Sequence, residues 1–146
     1  MPSRAVIKVI QNRDFLTSTP DKSVHAVAAH MRQFGVGAVL VVDEQDGCLL
    51  GICTERDLNY KVLAEGLDVR QTTVAEVMTS DPQVVGPDKP FGHVMHQMFE
   101  GGFRHMPVVD GRGRPMGVVS ARDALGLDIL HFRSELELRE AVAEIL

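Results

Sequence analysis

The chain carries the same pattern of residues twice. Pro20-Asp21-Lys22 recurs as Pro87-Asp88-Lys89, 67 positions later, and residues 51–57 recur as residues 117–123, 66 positions later. The second copy is therefore one residue shorter between the two matched segments. Such a repeat constrains the fold more than any single motif, because both copies have to fold alike. Two copies, in contrast to a long array, predict a pair of units related by approximate twofold symmetry.

Each copy predicts the same order of elements, β-α-β-β-α. Asp21 and Asp88 are the expected N-caps of the first helix in each copy, and Thr54 and Ser120 are the expected N-caps of the second helix. The valine-rich apolar runs between the helices are typical of strands that are buried on both faces. The expected strands are residues 15–18, 38–42 and 49–53 in the first copy and residues 83–85, 106–109 and 116–119 in the second.

We predict an α+β (α/β-like) fold in which residues 1–70 form the first repeat, residues 71–130 the second, and residues 131–146 a C-terminal helix. Gly126 is expected to interrupt the helix before that last segment, and Ser134 with Glu137 predicts a capping box where the helix restarts. A half of about 60 residues barely closes a core alone, so the two copies are expected to pack through their sheets as one folding unit.

Composition excludes several classes of function. The 20 acidic residues outnumber the 15 lysines and arginines, and a formal net charge of -5 argues against a nucleic-acid partner and against a polybasic membrane contact. No apolar run approaches the roughly 20 residues of a membrane span, and the N-terminus is not typical of a signal peptide. Cytoplasmic residence is the expectation. Cys48 and Cys53 are then expected to be free thiols in a reducing compartment.

The pattern Gly-x-x-Thr/Ser-x-x-Asp is the strongest candidate for ligand binding. It occurs with Thr54 and Asp57 in the first copy and with Ser120 and Asp123 in the second. A glycine at the end of a strand permits close approach to the backbone, the hydroxyl caps the next helix, and the carboxylate can accept two hydrogen bonds from a ribose diol. Helix capping alone explains one such pair, and duplication copies a structural cap as faithfully as a binding residue.

Arg104 and His105 precede the second buried strand, and two adjacent donors at a strand entrance suit a phosphate chain. An exposed arginine beside a half-buried histidine is the alternative reading. The equivalent residues of the first copy, Gly37 and Ala38, carry no charge. The two sites are therefore expected to differ.

Catalysis and metal binding find little support in the sequence. His93 and His96 lie three residues apart on one helix, but no third ligand accompanies them, and surface histidines on an amphipathic helix are the more common case. No nucleophile–base arrangement and no phosphate loop is present. We therefore expect neither an enzyme nor a metal site.

The chain resembles a tandem pair of cystathionine β-synthase (CBS) domains, and most closely the small stand-alone bacterial CBS-pair proteins. The likeness covers about residues 5–127. The segments that carry it are the two Pro-Asp-Lys helix starts and residues 35–43, 51–57, 74–79, 103–110 and 117–123.

The resemblance implies regulation by adenosine-containing ligands (AMP, ADP, ATP, in some cases NAD or S-adenosylmethionine) bound in two clefts between the repeats. Asp57 and Asp123 would hold ribose hydroxyls, and Thr54 and Ser120 would contact ribose or phosphate. Arg104 and His105 would reach the phosphate of the nucleotide held by Asp57.

Five further residues complete the implied site. Thr17 would line the Asp57 cleft with Val84 as its counterpart in the other cleft, Met106 would contribute at the strand entrance, and adenine would lie against Ile52 and Cys53. Because Gly37 and Ala38 lack the cationic pair, the Asp123 cleft is expected to be empty, weaker, or selective for a less charged ligand.

Two functions remain open at this stage. The first is a nucleotide-sensing regulatory module that acts on an unidentified protein. The second is a structural dimerisation module whose clefts bind nothing. The resemblance also implies a homodimer that associates through its helices, and twofold closure is the commonest oligomer.

Overall fold

The computed structural model describes residues 3–145, and their side chains except those of residues 127–130 and 144–145. The helices are α1 (Val6–Ile10), α2 (Val24–Phe34), α3 (Glu55–Asp57), which continues as a π-helix (Leu58–Leu63), α4 (Val74–Val77), α5 (Phe91–Gly101) and α6 (Ala121–Ile145). The strands are β1 (Thr17–Ser18), β2 (Ala38–Val42), β3 (Leu49–Thr54), β4 (Thr79–Ser80), β5 (His105–Val109) and β6 (Pro115–Ser120).

The two repeats share the same central antiparallel hairpin, within a four-stranded sheet in the first and a two-stranded sheet in the second. In the first, β1 pairs in parallel with β2, and the antiparallel pairs β2–β3 and β3–β4 follow. In the second, β5 and β6 form an antiparallel pair. Both hairpins shift register at the same place, between Val41 and Val42 and between Val108 and Val109. The α+β fold with two equivalent repeats is therefore confirmed.

The minor strands differ from prediction. Only Thr17 and Ser18 of the expected strand at residues 15–18 pair with β2. The expected strand at residues 83–85 is reduced to one parallel bridge from Val85 to Val108. Strand β4 was not foreseen, because its two residues are polar and exposed and leave no apolar pattern in the sequence.

The two short helices α1 and α4 are exchanged between the repeats. Helix α1 packs in the core of the second repeat, and α4 packs in the core of the first. Two glycines make this possible: a Cβ on Gly51 would lie 2.6 Å from the sulfur of Met78, just after α4, and one on Gly117 would lie 2.6 Å from Cδ1 of Ile10. The close approach expected at these glycines is thus made by the protein's own chain.

A third cluster joins the repeats. Ala38, Leu40 and Ile52 are buried on the face of the first sheet opposite its core, and Val118 of β6 packs against them. The backbone N–H of Leu49 also donates to the carbonyl of Gly113 over 2.9 Å. The two repeats therefore pack through their sheets, as expected for halves too small to close a core alone.

The predicted caps of the first helices are wrong. Ser23, two residues after Asp21, is the N-cap of α2 and its hydroxyl accepts from the N–H of Ala26. Pro90 occupies the N-cap position of α5 without a side-chain bond. The Pro-Asp-Lys turn therefore precedes each helix and is not its first turn.

Helix α6 runs without interruption through Gly126 and Ser134, so the predicted break and restart are wrong, and the C-terminal helix begins at Ala121. A glycine inside a helix costs only about 1 kcal/mol relative to alanine, which a 25-residue helix tolerates. Of the side chains described on this helix, five large apolar ones are exposed, namely Leu125, Phe132, Leu136, Leu138 and Val142.

Candidate functional site

Two clefts open at the seam between the repeats. One, of about 680 Å³, is lined by Thr54 and Asp57, and we call it the Asp57 cleft. The other, of about 1190 Å³, is lined by Ser120 and Asp123, and we call it the Asp123 cleft. The two repeated corners therefore each face a cavity that is large enough for a small ligand.

Asp57 is held by the protein itself. Its Oδ2 accepts from the backbone N–H of Thr54 over 2.9 Å and from the Thr54 hydroxyl over 3.1 Å. Its Oδ1 accepts from the hydroxyl of Thr79 over 3.3 Å and lies 2.9 Å from Nζ of Lys61. A carboxylate has about four acceptor positions, so all of them are occupied here.

Lys61 and Thr79 were missed by the sequence reasoning. The lysine lies in the π-helix that follows Asp57, and its Nζ donates to the carbonyl of Val77 as well. Its spacing of four residues from Asp57 was a usable signal for an ion pair. Thr79 comes from β4, which joins the sheet of the first repeat. No local sequence pattern predicts this exchange.

Asp123 is less fully engaged. Its Oδ2 accepts from the backbone N–H of Ser120 over 2.8 Å, and its Oδ1 accepts from Nη1 of Arg13 over 2.5 Å. The first bond is the equivalent of the Thr54–Asp57 bond, and the second comes from the segment after α1. Asp123 therefore retains acceptor positions that Asp57 lacks.

Arg104 and His105 line both clefts. The carbonyl of Arg104 accepts from the N–H of Ala121 over 2.9 Å, just as the carbonyl of Gly37 accepts from the N–H of Glu55 over 3.1 Å. A side chain on Gly37 would come within 3.4 Å of Nε2 of His105 and within 3.3 Å of the Glu55 carboxylate. The glycine in the first copy therefore leaves room for His105 of the second copy and for Glu55 of its own copy.

The half-buried position of His105 affects its charge. Burial lowers its pKa below the usual value, and the charge of Arg104 acts in the same direction, while Glu55 and Asp123 oppose the shift. The imidazole is therefore neutral at pH 7 and gains a proton more readily if an anion enters the cleft.

The Asp123 cleft carries arginines although Gly37 and Ala38 supply no cationic pair. Among the described residues its lining holds four arginines against three carboxylates, whereas the Asp57 cleft holds two arginines against three carboxylates. Besides Arg104, the Asp123 cleft has Arg13, Arg32 and Arg122. Arg122 is the counterpart of Arg56 in the first copy, whereas Arg13 and Arg32 lie outside the segments that match between the copies.

Other predicted contacts are not brought to a cleft. Met106 and Cys53 are fully buried in the two cores, because side chains alternate along a strand and their neighbours His105 and Ile52 take the cleft side. Thr17, an exposed residue of β1, lies outside both linings, as does Val84.

Both cysteines are free, and burial raises the pKa of Cys53 to about 12, so this thiol stays protonated. Among the side chains that the structure describes, no three of the kind that bind metals come together.

No helix within the described part of the chain combines the length and apolar character needed to cross a membrane.

Comparison with known proteins identifies the repeated unit. The family model described as CBS domain matches residues 7–63 and 74–129. An uncharacterised protein of Methanopyrus kandleri, MK0525, is 31% identical over 119 residues, which are 82% of this chain and 60% of that protein. The chain thus spans less than two thirds of this relative.

Solved structures share the fold. A CBS-domain protein of Burkholderia ambifaria, described as a putative signal-transduction protein, superposes with a TM-score of 0.79 at 31% identity, over 87% of this chain and 95% of that one. The CBS domain pair of MJ0100, solved with 5′-methylthioadenosine and S-adenosyl-L-methionine, gives 0.76 at 28% identity over 86% and 96%. PAE2072 of Pyrobaculum aerophilum, solved with AMP, gives 0.76 at 21% identity over 82% and 89%, which is a likeness of fold alone.

The double match covers most of the chain, and it coincides with the two sheets, the exchanged helices and the two clefts between the repeats. The chain therefore belongs to the CBS-domain family, as a tandem pair of CBS domains.

Proposed function

We propose that the chain is a regulatory module that binds an adenosine-containing ligand between its repeats and acts on a partner protein rather than on a substrate. AMP, ADP and ATP are the first candidates, with NAD as a further one. The observation that carries the proposal is the repeated hydroxyl–carboxylate corner that faces a cleft on each side of the seam. A ribose offers the vicinal hydroxyls that such a carboxylate binds.

The roles follow from position in the cleft. Asp123 accepts the ribose hydroxyls, and Ser120 contacts ribose or phosphate. Arg104 and His105, at the entrance of β5, bind the phosphate with charge-assisted hydrogen bonds. Adenine packs on Val118, the counterpart of Ile52 in the other cleft.

Related structures support the ligand class. MJ0100 was solved with two adenosine derivatives and PAE2072 with AMP. All of these ligands contain the ribose and adenine of adenosine, whereas their 5′ substituents differ. This agrees with a site in which the ribose contacts are shared and the remaining cleft residues set the preference.

We further propose that the Asp123 cleft is the principal site, which reverses the preference drawn from the sequence. Asp123 has unused acceptor positions, and its cleft is larger and richer in arginine. Asp57 would have to release Lys61 or Thr79 before it could bind a ribose. In the Asp57 cleft, Thr54 and Ile52 are then secondary contacts.

A structural dimerisation module is the second candidate, and the complete internal bonding of Asp57 favours it. Dimerisation through helices also fits the exposed apolar side chains on α2, on α5 and on the π-helix. Phe34, Tyr60, Leu63 and Phe99 are between 62% and 86% exposed. Burying them between two copies would remove large apolar areas from water. We propose a homodimer under either function, and sedimentation velocity measures it directly.

Calorimetric titration separates the two functions. The protein is titrated with AMP, ATP, NAD and adenosine, and Asp123→Asn is compared with Asp57→Asn as a matched pair. Asp123→Asn is expected to weaken AMP binding by about 1–3 kcal/mol, because a ribose hydroxyl loses its charged acceptor. Asp57→Asn should leave the tighter binding event nearly unchanged. Absence of binding by the parent protein would support the structural module instead.

A further inference from the structure

The ion pair between Arg13 and Asp123 stands at the centre of the proposed ligand site. Arg13 follows α1, and its side chain is 45% exposed, whereas that of Asp123 is 10% exposed. The arginine therefore reaches from the rim of the cleft to a nearly buried carboxylate. Its Nη1 donates to Oδ1 of Asp123, whereas the N–H of Ser120 donates to Oδ2.

The ion pair at the other corner, between Asp57 and Lys61, has the same side-chain exposures of 10% and 45%, but it is one of four contacts to that carboxylate. Asp57 is held by Thr54, Thr79 and Lys61, and two of these contacts are part-buried hydroxyl bonds within the first repeat and its exchanged strand. Asp123 has one cationic contact, and it is partly exposed to water. Partly exposed ion pairs are weak, because water screens them and the long side chain loses freedom. Arg13 can therefore leave Asp123 at small cost.

A phosphate bound in the cleft would be a second partner for the guanidinium of Arg13. Arg104 and His105 mark the region where a phosphate is expected, and Arg13 lines the same cavity. A guanidinium has five N–H donors in a planar fork that matches phosphate oxygens. One of those donors is used for Asp123 in the structure.

We propose that Arg13 is a counter-ion that the ligand displaces and that then selects for a phosphate. In the empty cleft it neutralises Asp123. When ribose hydroxyls bind Asp123, the guanidinium turns to the phosphate of the nucleotide. A nucleoside without phosphate displaces Arg13 but gives it no anionic partner, so the cleft prefers the phosphorylated ligand. This inference rests on the proposed function.

The test uses AMP and adenosine on one set of proteins. Arg13→Ala removes the competitor for Asp123, so adenosine should bind about 2- to 5-fold tighter. The same variant loses a phosphate contact, so AMP should bind about 10-fold weaker. Arg13→Gln, which keeps a polar side chain of similar reach without the charge, should shift both ligands in the same two directions.

Lys8→Ala is the control, because Lys8 is an exposed cation on α1, shortly before Arg13, and lines neither cleft. It should leave adenosine unchanged. Melting curves establish that each variant is folded. If both Arg13 variants bind adenosine no tighter than the parent, the inference is overturned while nucleotide binding stands. If the parent binds neither ligand, the proposed function fails and this inference fails with it.

Discussion

Replacing Asp57 by alanine should destabilise the fold more than replacing Asp123 by alanine. The two residues occupy equivalent positions in the repeats, yet Asp57 makes four side-chain contacts and Asp123 makes two. The pair is therefore an internal comparison in which the local backbone is matched and the bonding differs.

The magnitude follows from the contacts. Loss of the capping bond at Thr54 costs about 1 kcal/mol, and the same applies to the bond at Ser120. The ion pairs with Lys61 and Arg13, both partly exposed, contribute about 0.5 kcal/mol each. The bonds from the two threonine hydroxyls add about 0.5–1 kcal/mol each at Asp57 alone. Asp57→Ala should therefore cost about 3 kcal/mol and Asp123→Ala about 1.5 kcal/mol.

Urea denaturation at fixed protein concentration measures both free energies of unfolding, and thermal melting provides a check. For a chain of this length, 1 kcal/mol corresponds to a shift of about 2–4 °C in Tm. Thr79→Val removes one of the additional bonds while it keeps the shape of the side chain. Thr79→Val alone should lower the free energy of unfolding by about a quarter as much as Asp57→Ala does. In the Asp57→Ala background it should lower this free energy hardly at all.

Equal losses for Asp57→Ala and Asp123→Ala would refute the reasoning, and so would a full additive loss for Thr79→Val in the Asp57→Ala background. Either result would mean that the four contacts of Asp57 do not contribute to stability. The argument that its acceptor positions are occupied would then fail as well.

Two further predictions concern titration and reactivity. Because burial lowers the pKa of His105, protonation opposes folding, so the unliganded protein should lose stability as pH falls through about 6.5, the unfolded value. A bound phosphate favours the imidazolium, so AMP affinity should rise as the pH falls over the same interval. His105→Gln should flatten the pH profiles of both stability and AMP affinity. Flat profiles for the parent protein would contradict this assignment. In the folded protein a thiol reagent should modify the half-buried Cys48 and spare Cys53, whose pKa is raised to about 12. Mass spectrometry of the labelled peptides measures both modification rates at pH 8. Equal rates for the two cysteines would show that the core of the first repeat opens.

The repeat predicted the architecture because it is a global constraint. Two matched Gly-x-x-Thr/Ser-x-x-Asp corners specify two equivalent strand–helix junctions, and these lie where expected, with Thr54 and Asp57 forming a reciprocal capping box. The exchange of α1 and α4 could not be predicted, because either packing buries the same apolar residues. The close contacts at Gly51 and Gly117 reveal it only in three dimensions.

The errors at the site have physical causes. Met106 and Cys53 were assigned to a cleft although their neighbours His105 and Ile52 face it, and one residue along a strand reverses the face. Arg13 was missed for a different reason. Its contact with Asp123 joins residues 110 positions apart, and no local pattern encodes such a distance.

The central claim is that an adenosine ligand binds through its ribose in the Asp123 cleft, and a crystal structure of the protein grown with AMP tests it most directly. The account predicts density for AMP between the repeats, with ribose hydroxyls on Asp123, phosphate beside Arg104, and Arg13 moved away from the carboxylate. Density for AMP at Asp57 alone, or an Asp123 cleft that keeps its Arg13 ion pair at saturating AMP, would contradict it.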